Sequence, residues 1–179
     1  MQLYDTIGAP QLAAVLVLIQ RFGEEQYSAR NMRALLATGA HEAGQDYYPV
    51  VAVTHLAWIA SIYFLIPPDA PVVWPLVVYY LALQAARYWV IASLGGYWTH
   101  RIVTLPEAPI VVSGPYGTVR HPNYAVSIIE TMVLPLCFGA LALGVIMTAV
   151  WWAVLSYKMR LEDEALKARR LAQRSTARK

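Results

Sequence analysis

Residues 140–157 run for eighteen positions without one charged side chain, and residues 50–66 do the same for seventeen. A hydrocarbon core needs about 20 apolar residues to cross as a helix, with about 17 still sufficient. Stretches of this kind in a 179-residue chain leave few folds open. The whole composition agrees: 58% of residues are hydrophobic, 14% are charged, and mean hydropathy is +0.43. Soluble domains carry about 25% charged residues, so too few charges remain here to cover a water-facing globule or to grip nucleic acid. The sequence predicts an all-α integral membrane protein forming one domain over residues 1–179.

Five spans are predicted, at 7–19, 50–66, 72–94, 123–138 and 140–157. The first is short and contains Pro10 and Gln11. Lys and Arg concentrate in cytoplasmic connections, which fixes the orientation expected here. With the N-terminus outside, segments 21–49, 95–122 and 158–179 face the cytoplasm and hold all fourteen basic residues except Arg87. The outer turns, 67–71 and 137–139, hold none. Segment 95–122 contains two β-like runs, 97–105 and 110–113, and with 158–170 it forms the expected cytoplasmic site region. The single cysteine, Cys137, excludes an internal disulfide.

Three features carry chemistry. Gly114-Pro115-Tyr116-Gly117 bends the chain twice, and Arg120-His121-Pro122-Asn123-Tyr124 then opens span four. Pro122 suits a first helical turn, whose free N–H groups and positive dipole end favour an anion. The alternative is an interfacial Arg/Tyr anchor. Past span five, Glu162, Asp163 and Glu164 form an acidic run, either a solvated face or a holder of hydroxyls or a cation. The tight turn at 137–139 makes spans four and five a hairpin, so these two features should be neighbours. Third, Arg87 lies eight residues before Gly95 and Glu130 eight after Pro122, so both sit roughly 12 Å from the same end at about 1.5 Å per residue. Charges at such depth are paired or functional. His55 reads as a hydrogen-bonded core residue. The G-x-G-x-x-G, P-loop, H-E-x-x-H and G-x-S-x-G patterns are absent.

The run from Gly114 to Tyr124, followed by a span hairpin and an acidic pair, resembles the isoprenylcysteine carboxyl methyltransferase family, and the upstream Ala29-Arg30-Asn31, Gly39-Ala40, Tyr48-Pro49 and His55 look like its bacterial branch. The family tail pattern Arg-Ile-x-x-Glu-Glu-x-x-Leu is matched by Lys158, Met159, Glu162, Asp163 and Leu166, with Lys for Arg and Asp for Glu. The resemblance implies an S-adenosylmethionine-dependent methyltransferase without a metal, with cofactor contacts from Val112, Gly114, Tyr116, Arg120, His121, Pro122, Tyr124, Glu162 and Asp163. It further implies in-line SN2 methylation of a lipid-like acceptor arriving from the bilayer, most simply at a carboxylate or hydroxyl oxygen. Arg87 and Glu130 are the expected catalytic residues, Arg87 holding an acidic acceptor and Glu130 orienting Arg87 or removing a proton. The expected location is the bacterial cytoplasmic membrane, with the site facing the cytoplasm. Prenylcysteine, a phospholipid amine and a lipidic enol or phenol remain open as acceptors. The competing classes are a nicotinamide-dependent, sterol-type membrane reductase and a membrane protein without enzymatic activity.

Overall fold

The computed structural model describes residues 7–105, 108 and 111–167, and its element order is α1 (Ala9–Ala37), β1 (His41–Ala43), α2 (Tyr48–Leu65), α3 (Trp74–Leu94), β2 (Ile102–Thr104), α4 (Pro122–Leu136) and α5 (Leu141–Ala165). Short 3-10 turns occur at Gln45–Tyr47, Gly95–Tyr97 and Gly114–Gly117. The basic residues expected at 169, 170, 174, 178 and 179 lie outside the described residues.

The first expected span is corrected. Helix α1 does not stop at 19 but continues for 29 residues, so Arg21, Arg30 and Arg33 lie on a helix rather than in a connection. The reason is local: 24–36 contains strong helix formers and neither Gly nor Pro, and the helix ends only where Gly39 turns back at φ +92°. Pro10 and Gln11, which look like interruptions, begin the helix. Gly8 N–H donates to Gln11 Oε1 at 3.0 Å, and Gln11 Nε2 donates to the carbonyls of Tyr63 (3.0 Å) and Ile66 (2.8 Å). That ties the start of α1 to the end of α2. Gly8 is irreplaceable there, since a Cβ would fall 1.8 Å from Pro68 O.

Among the described residues, three segments are long and apolar enough to cross a membrane: Gln45–Leu65, Trp74–Tyr97 and Leu141–Ala165. They correspond to the second, third and fifth expected spans. Helix α4 has 15 residues, about 22 Å at 1.5 Å per residue, short of a ~30 Å core. It lies inside the bundle, with Ser127, Glu130, Thr131, Val133 and Leu134 buried. Of the β-like runs, only 102–104 is a strand; it pairs antiparallel with β1, His41 opposite Thr104. Residues 111–113 are not a strand, and Ile110 lies outside the described residues.

The hydrophobic core gathers at the end bearing the two tight turns. Trp58, Ile62, Ile66, Leu83, Val133, Leu134, Cys137 and Phe138 pack together there, and Val73 N–H donates to Cys137 O at 2.8 Å across the turns. Helices α4 and α5 form the expected hairpin. Gly144 allows its close approach, since an added Cβ would lie 3.1 Å from Met132 O. The opposite end is polar, and it holds the site.

Candidate functional site

The 114–117 turn, the start of α4 and the end of α5 converge. Gly114 adopts φ +57°, and a Cβ there would lie 2.7 Å from Ser93 Oγ, so glycine is required both by conformation and by contact with α3. His121 precedes the helix and Pro122 opens it. Tyr124, one turn on, donates its hydroxyl to Glu162 Oε2 at 2.6 Å. His121 stacks on Tyr124 with ring centroids 5.4 Å apart. Its Nε2 lies 3.2 Å from Asp163 Oδ1 and its Nδ1 3.6 Å from Glu162 Oε2. Arg120 Nη1 is 3.6 Å from Asp163 Oδ2. The expected neighbours are therefore neighbours. Burial alone would lower the His121 pKa, but the Glu162 hydrogen bond and the Glu162 and Asp163 charges outweigh it and raise it. Burial, then the Glu162 charge, pushes the Tyr116 hydroxyl up.

Two cavities flank this cluster. A cavity of about 390 Å³ is lined by Val112, Tyr116, Arg120 and Glu162, with apolar walls that include Val103 and Leu166. Of the other expected cofactor residues, His121, Tyr124 and Asp163 surround or hold Glu162, while Gly114 and Pro122 shape the backbone. The donor set suits S-adenosylmethionine: a guanidinium for its carboxylate, Glu162 and a tyrosine face for its cationic groups, and aliphatic walls for a purine.

The second cavity, about 320 Å³, is largely apolar, with Leu18, Phe22, Leu56 and Leu155 on its walls and Arg21, Arg87, His100 and Lys158 at its polar side. Leu18, Phe22 and Leu56 are also exposed on the outer surface of α1 and α2, the face a bilayer would cover. Tyr124 lines this cavity while its hydroxyl holds Glu162 of the first, so one side chain joins the two chambers.

Arg87 and Glu130 meet as expected, Nη1 to Oε2 at 3.4 Å, but they belong to a buried network of four charges. Glu24 takes Arg87 Nε and Nη2 at 2.8 and 2.6 Å, and Arg21 bridges Glu24 at 2.8 Å and Glu130 at 2.7 Å. Gln84 Nε2 donates to the other Glu130 oxygen at 3.0 Å. Two cations thus balance two anions, and Arg87, unlike Glu130, lines the apolar cavity. Sequence reasoning missed Arg21 and Glu24 by assigning them to a connection; their i,i+3 spacing on an uninterrupted helix was the available signal. It also missed His100, which Glu25 holds at 2.8 Å through Nδ1, and it gave Lys158 no role at the cavity. His55 is buried between Trp58 and Trp151, with ring centroids 5.1 and 5.0 Å away, but its Nε2 has no hydrogen-bond partner among the described residues.

Apolar membrane-length helices around a polar end with two cavities define a helical membrane protein with a candidate site at that end. The chain belongs to the isoprenylcysteine carboxyl methyltransferase family, whose model matches residues 76–168, from α3 through the tail motif; by family it is a membrane methyltransferase. It is 32% identical over 159 residues to an uncharacterized Bacillus subtilis (strain 168) protein, YpbQ, covering 87% of this chain and 95% of that one. An uncharacterized Haemophilus influenzae (strain ATCC 51907 / DSM 11121 / KW20 / Rd) protein is 26% identical over 158 residues, covering 84% and 90%. No solved structure matches significantly.

Proposed function

We propose that the protein is an S-adenosylmethionine-dependent methyltransferase whose cofactor occupies the Tyr116–Arg120–Glu162 cavity and whose lipid-like acceptor occupies the apolar one. The carrying observation is the position of Tyr124, which lines the acceptor cavity and hydrogen-bonds the carboxylate of the cofactor cavity at 2.6 Å. When bound, the cofactor supplies an electrophilic methyl carbon on a sulfonium. The protein's share is to fix both reactants in line and exclude water. Glu162, held by Tyr124 and His121, faces the cofactor's cationic groups, and Arg120 faces its carboxylate. Arg87 faces the acceptor, with Glu24 and Glu130 fixing the guanidinium plane. The acceptor oxygen belongs to a carboxylate or a hydroxyl, and the acceptor arrives from the bilayer between α1 and α2, where Leu18, Phe22 and Leu56 are exposed. The site end faces the cytoplasm of a bacterial inner membrane.

Arg120 is the one basic side chain on the described lining of the cofactor cavity, too little positive charge for the phosphates of a nicotinamide dinucleotide; that favours the methyltransferase over the reductase. The test is to incubate membranes containing the protein with S-adenosylmethionine labelled in its methyl group, then extract with organic solvent. Label should enter the lipid phase and vanish with Glu162→Ala. Absence of lipid-phase label above membranes lacking the protein would overturn the proposal.

A further inference from the structure

The apolar outer surface has one height on every helix that bears it. Exposed large apolar side chains occupy 7–22 on α1 and the residues leading into it, 50–65 on α2, 74–89 on α3 and 141–157 on α5. Each pair of ends is fifteen or sixteen positions apart, roughly 22–24 Å at about 1.5 Å per residue. On the site side, exposed polar side chains follow at once: Gln26 and Arg30 past the α1 face, Gln45 and Asp46 before the α2 face, and Arg160 past the α5 face. On the far side, Pro67 and Asp69 are exposed in the turn between α2 and α3. Aromatic rings mark both rims, Trp74 at the far one and Tyr88, Trp89 and Tyr157 at the site one. Such rings stand where a helix passes from hydrocarbon to headgroups.

An ordinary hydrocarbon core is about 30 Å thick, so this belt is short by roughly 6–8 Å, and any tilt shortens it further. A short belt is met by thinning of the bilayer, by snorkelling of flanking side chains, or by self-association. Snorkelling cations are missing on the far side, where 67–71 and 137–139 contain no Lys or Arg. Self-association covers one face of a molecule, whereas this belt is carried by four helices. The buried charge network gives an independent measure. Arg21 lies one residue inside the site-side rim, Arg87 two inside and Glu24 two outside it. A core of about 30 Å centred on the belt sinks these three positions several ångströms deeper into hydrocarbon. A core matched to the belt leaves them within about 3 Å of the headgroups, which is the cheaper place for charge.

We propose that the belt fits a locally thinned bilayer: the protein draws the surrounding hydrocarbon in to about 23 Å and selects lipids with short acyl chains. The headgroups then stand level with the polar side of the apolar cavity, where Glu25 and Lys158 line it three residues and one residue beyond the rim. A molecule entering that cavity from the bilayer between α1 and α2 keeps its polar end at headgroup level throughout. That consequence rests on the cavity drawing its ligand from the bilayer. The belt itself depends on neither the cofactor reading nor the acceptor reading, so its failure would leave both standing.

The test reconstitutes purified full-length protein in phosphatidylcholine bilayers with monounsaturated chains of fourteen, sixteen, eighteen, twenty or twenty-two carbons. Brominated lipids of each length quench the exposed tryptophans Trp74, Trp89 and Trp152, and mixtures of brominated and unbrominated lipids give the relative affinity of the belt for each chain length. Affinity should be greatest at fourteen carbons, at least twofold above eighteen, and lowest at twenty-two. A maximum at eighteen carbons or longer, or no dependence on length, would overturn the proposal. So would cross-linked dimers accumulating in the long-chain bilayers with no preference for short chains, because a second copy would then cover the belt. Depth gives a second reading within a single lipid. In eighteen-carbon bilayers Trp74 and Trp89, each read as the difference between wild type and Trp74→Phe or Trp89→Phe, should be quenched more by bromines near the ester than by bromines at mid-chain. Stronger mid-chain quenching of either would show an unthinned core and overturn the proposal.

Discussion

Removing Glu130 should be among the most damaging single changes in the molecule. Its side chain is 1% exposed and accepts from Arg21, Arg87 and Gln84. In Glu130→Leu, two buried guanidiniums face the single carboxylate of Glu24, an excess of one charge. Breaking a buried pair in this way costs about 3–5 kcal/mol, two to three and a half decades in the unfolding equilibrium at about 1.4 kcal/mol per decade. Arg87→Leu leaves the opposite excess and should cost a similar amount. The double variant removes one charge of each sign and retains the Arg21–Glu24 pair at 2.8 Å, so its loss should fall well below the sum of the two. The assay is unfolding in mixed micelles at increasing denaturing-detergent fraction, followed by tryptophan fluorescence. Strictly additive losses in the double variant would refute the charge-balance argument, as would singles costing less than about 1 kcal/mol, the worth of a surface pair.

Other outcomes follow from the same geometry. Because Glu162 and Asp163 raise the folded-state pKa of His121, the charged imidazole stabilises the fold below its unfolded pKa of about 6.5, and that contribution disappears as pH rises through the higher folded value. His121→Ala should therefore lose more stability at pH 6 than at pH 9; an equal loss at both would show that the pairing carries no charge. Gly114→Ala meets a positive φ and Ser93 Oγ at 2.7 Å, and should cost about 1–3 kcal/mol, read from the same unfolding curves. A cost near zero would mean that the 114–117 turn is not held against α3. Cysteines introduced at Asp69 and Thr38 should label from opposite membrane faces, with little background because Cys137 is buried; labelling from one face would overturn the expected sidedness.

How much of this was legible in the sequence depends on the range of the signal. Apolar runs at 50–66, 72–94 and 140–157 correspond to α2, α3 and α5 because apolar length is a local property. The meeting of His121 and Tyr124 with Glu162 and Asp163 could be read because the turn at 137–139 is too short for any other return path. Equal depth likewise brought Arg87 to Glu130. The charged half of α1 was not legible, since Arg21, Glu24 and Glu25 look like a connection until their partners on α3, α4 and the 95–101 segment are known. The three-residue pairing of β1 with β2 is too short to leave a periodic trace. His100 was overlooked for the same reason: nothing near it in sequence announces Glu25, 75 residues away.

The central claim is that the cavity beside Glu162 holds S-adenosylmethionine, and calorimetric titration of the purified protein tests it most directly. S-adenosylmethionine should bind at one site per chain, a reduced nicotinamide dinucleotide phosphate should not, and Glu162→Ala should weaken the former at least tenfold while the protein remains folded. Binding of the nicotinamide compound in its place, or S-adenosylmethionine affinity unchanged by Glu162→Ala, would contradict the account.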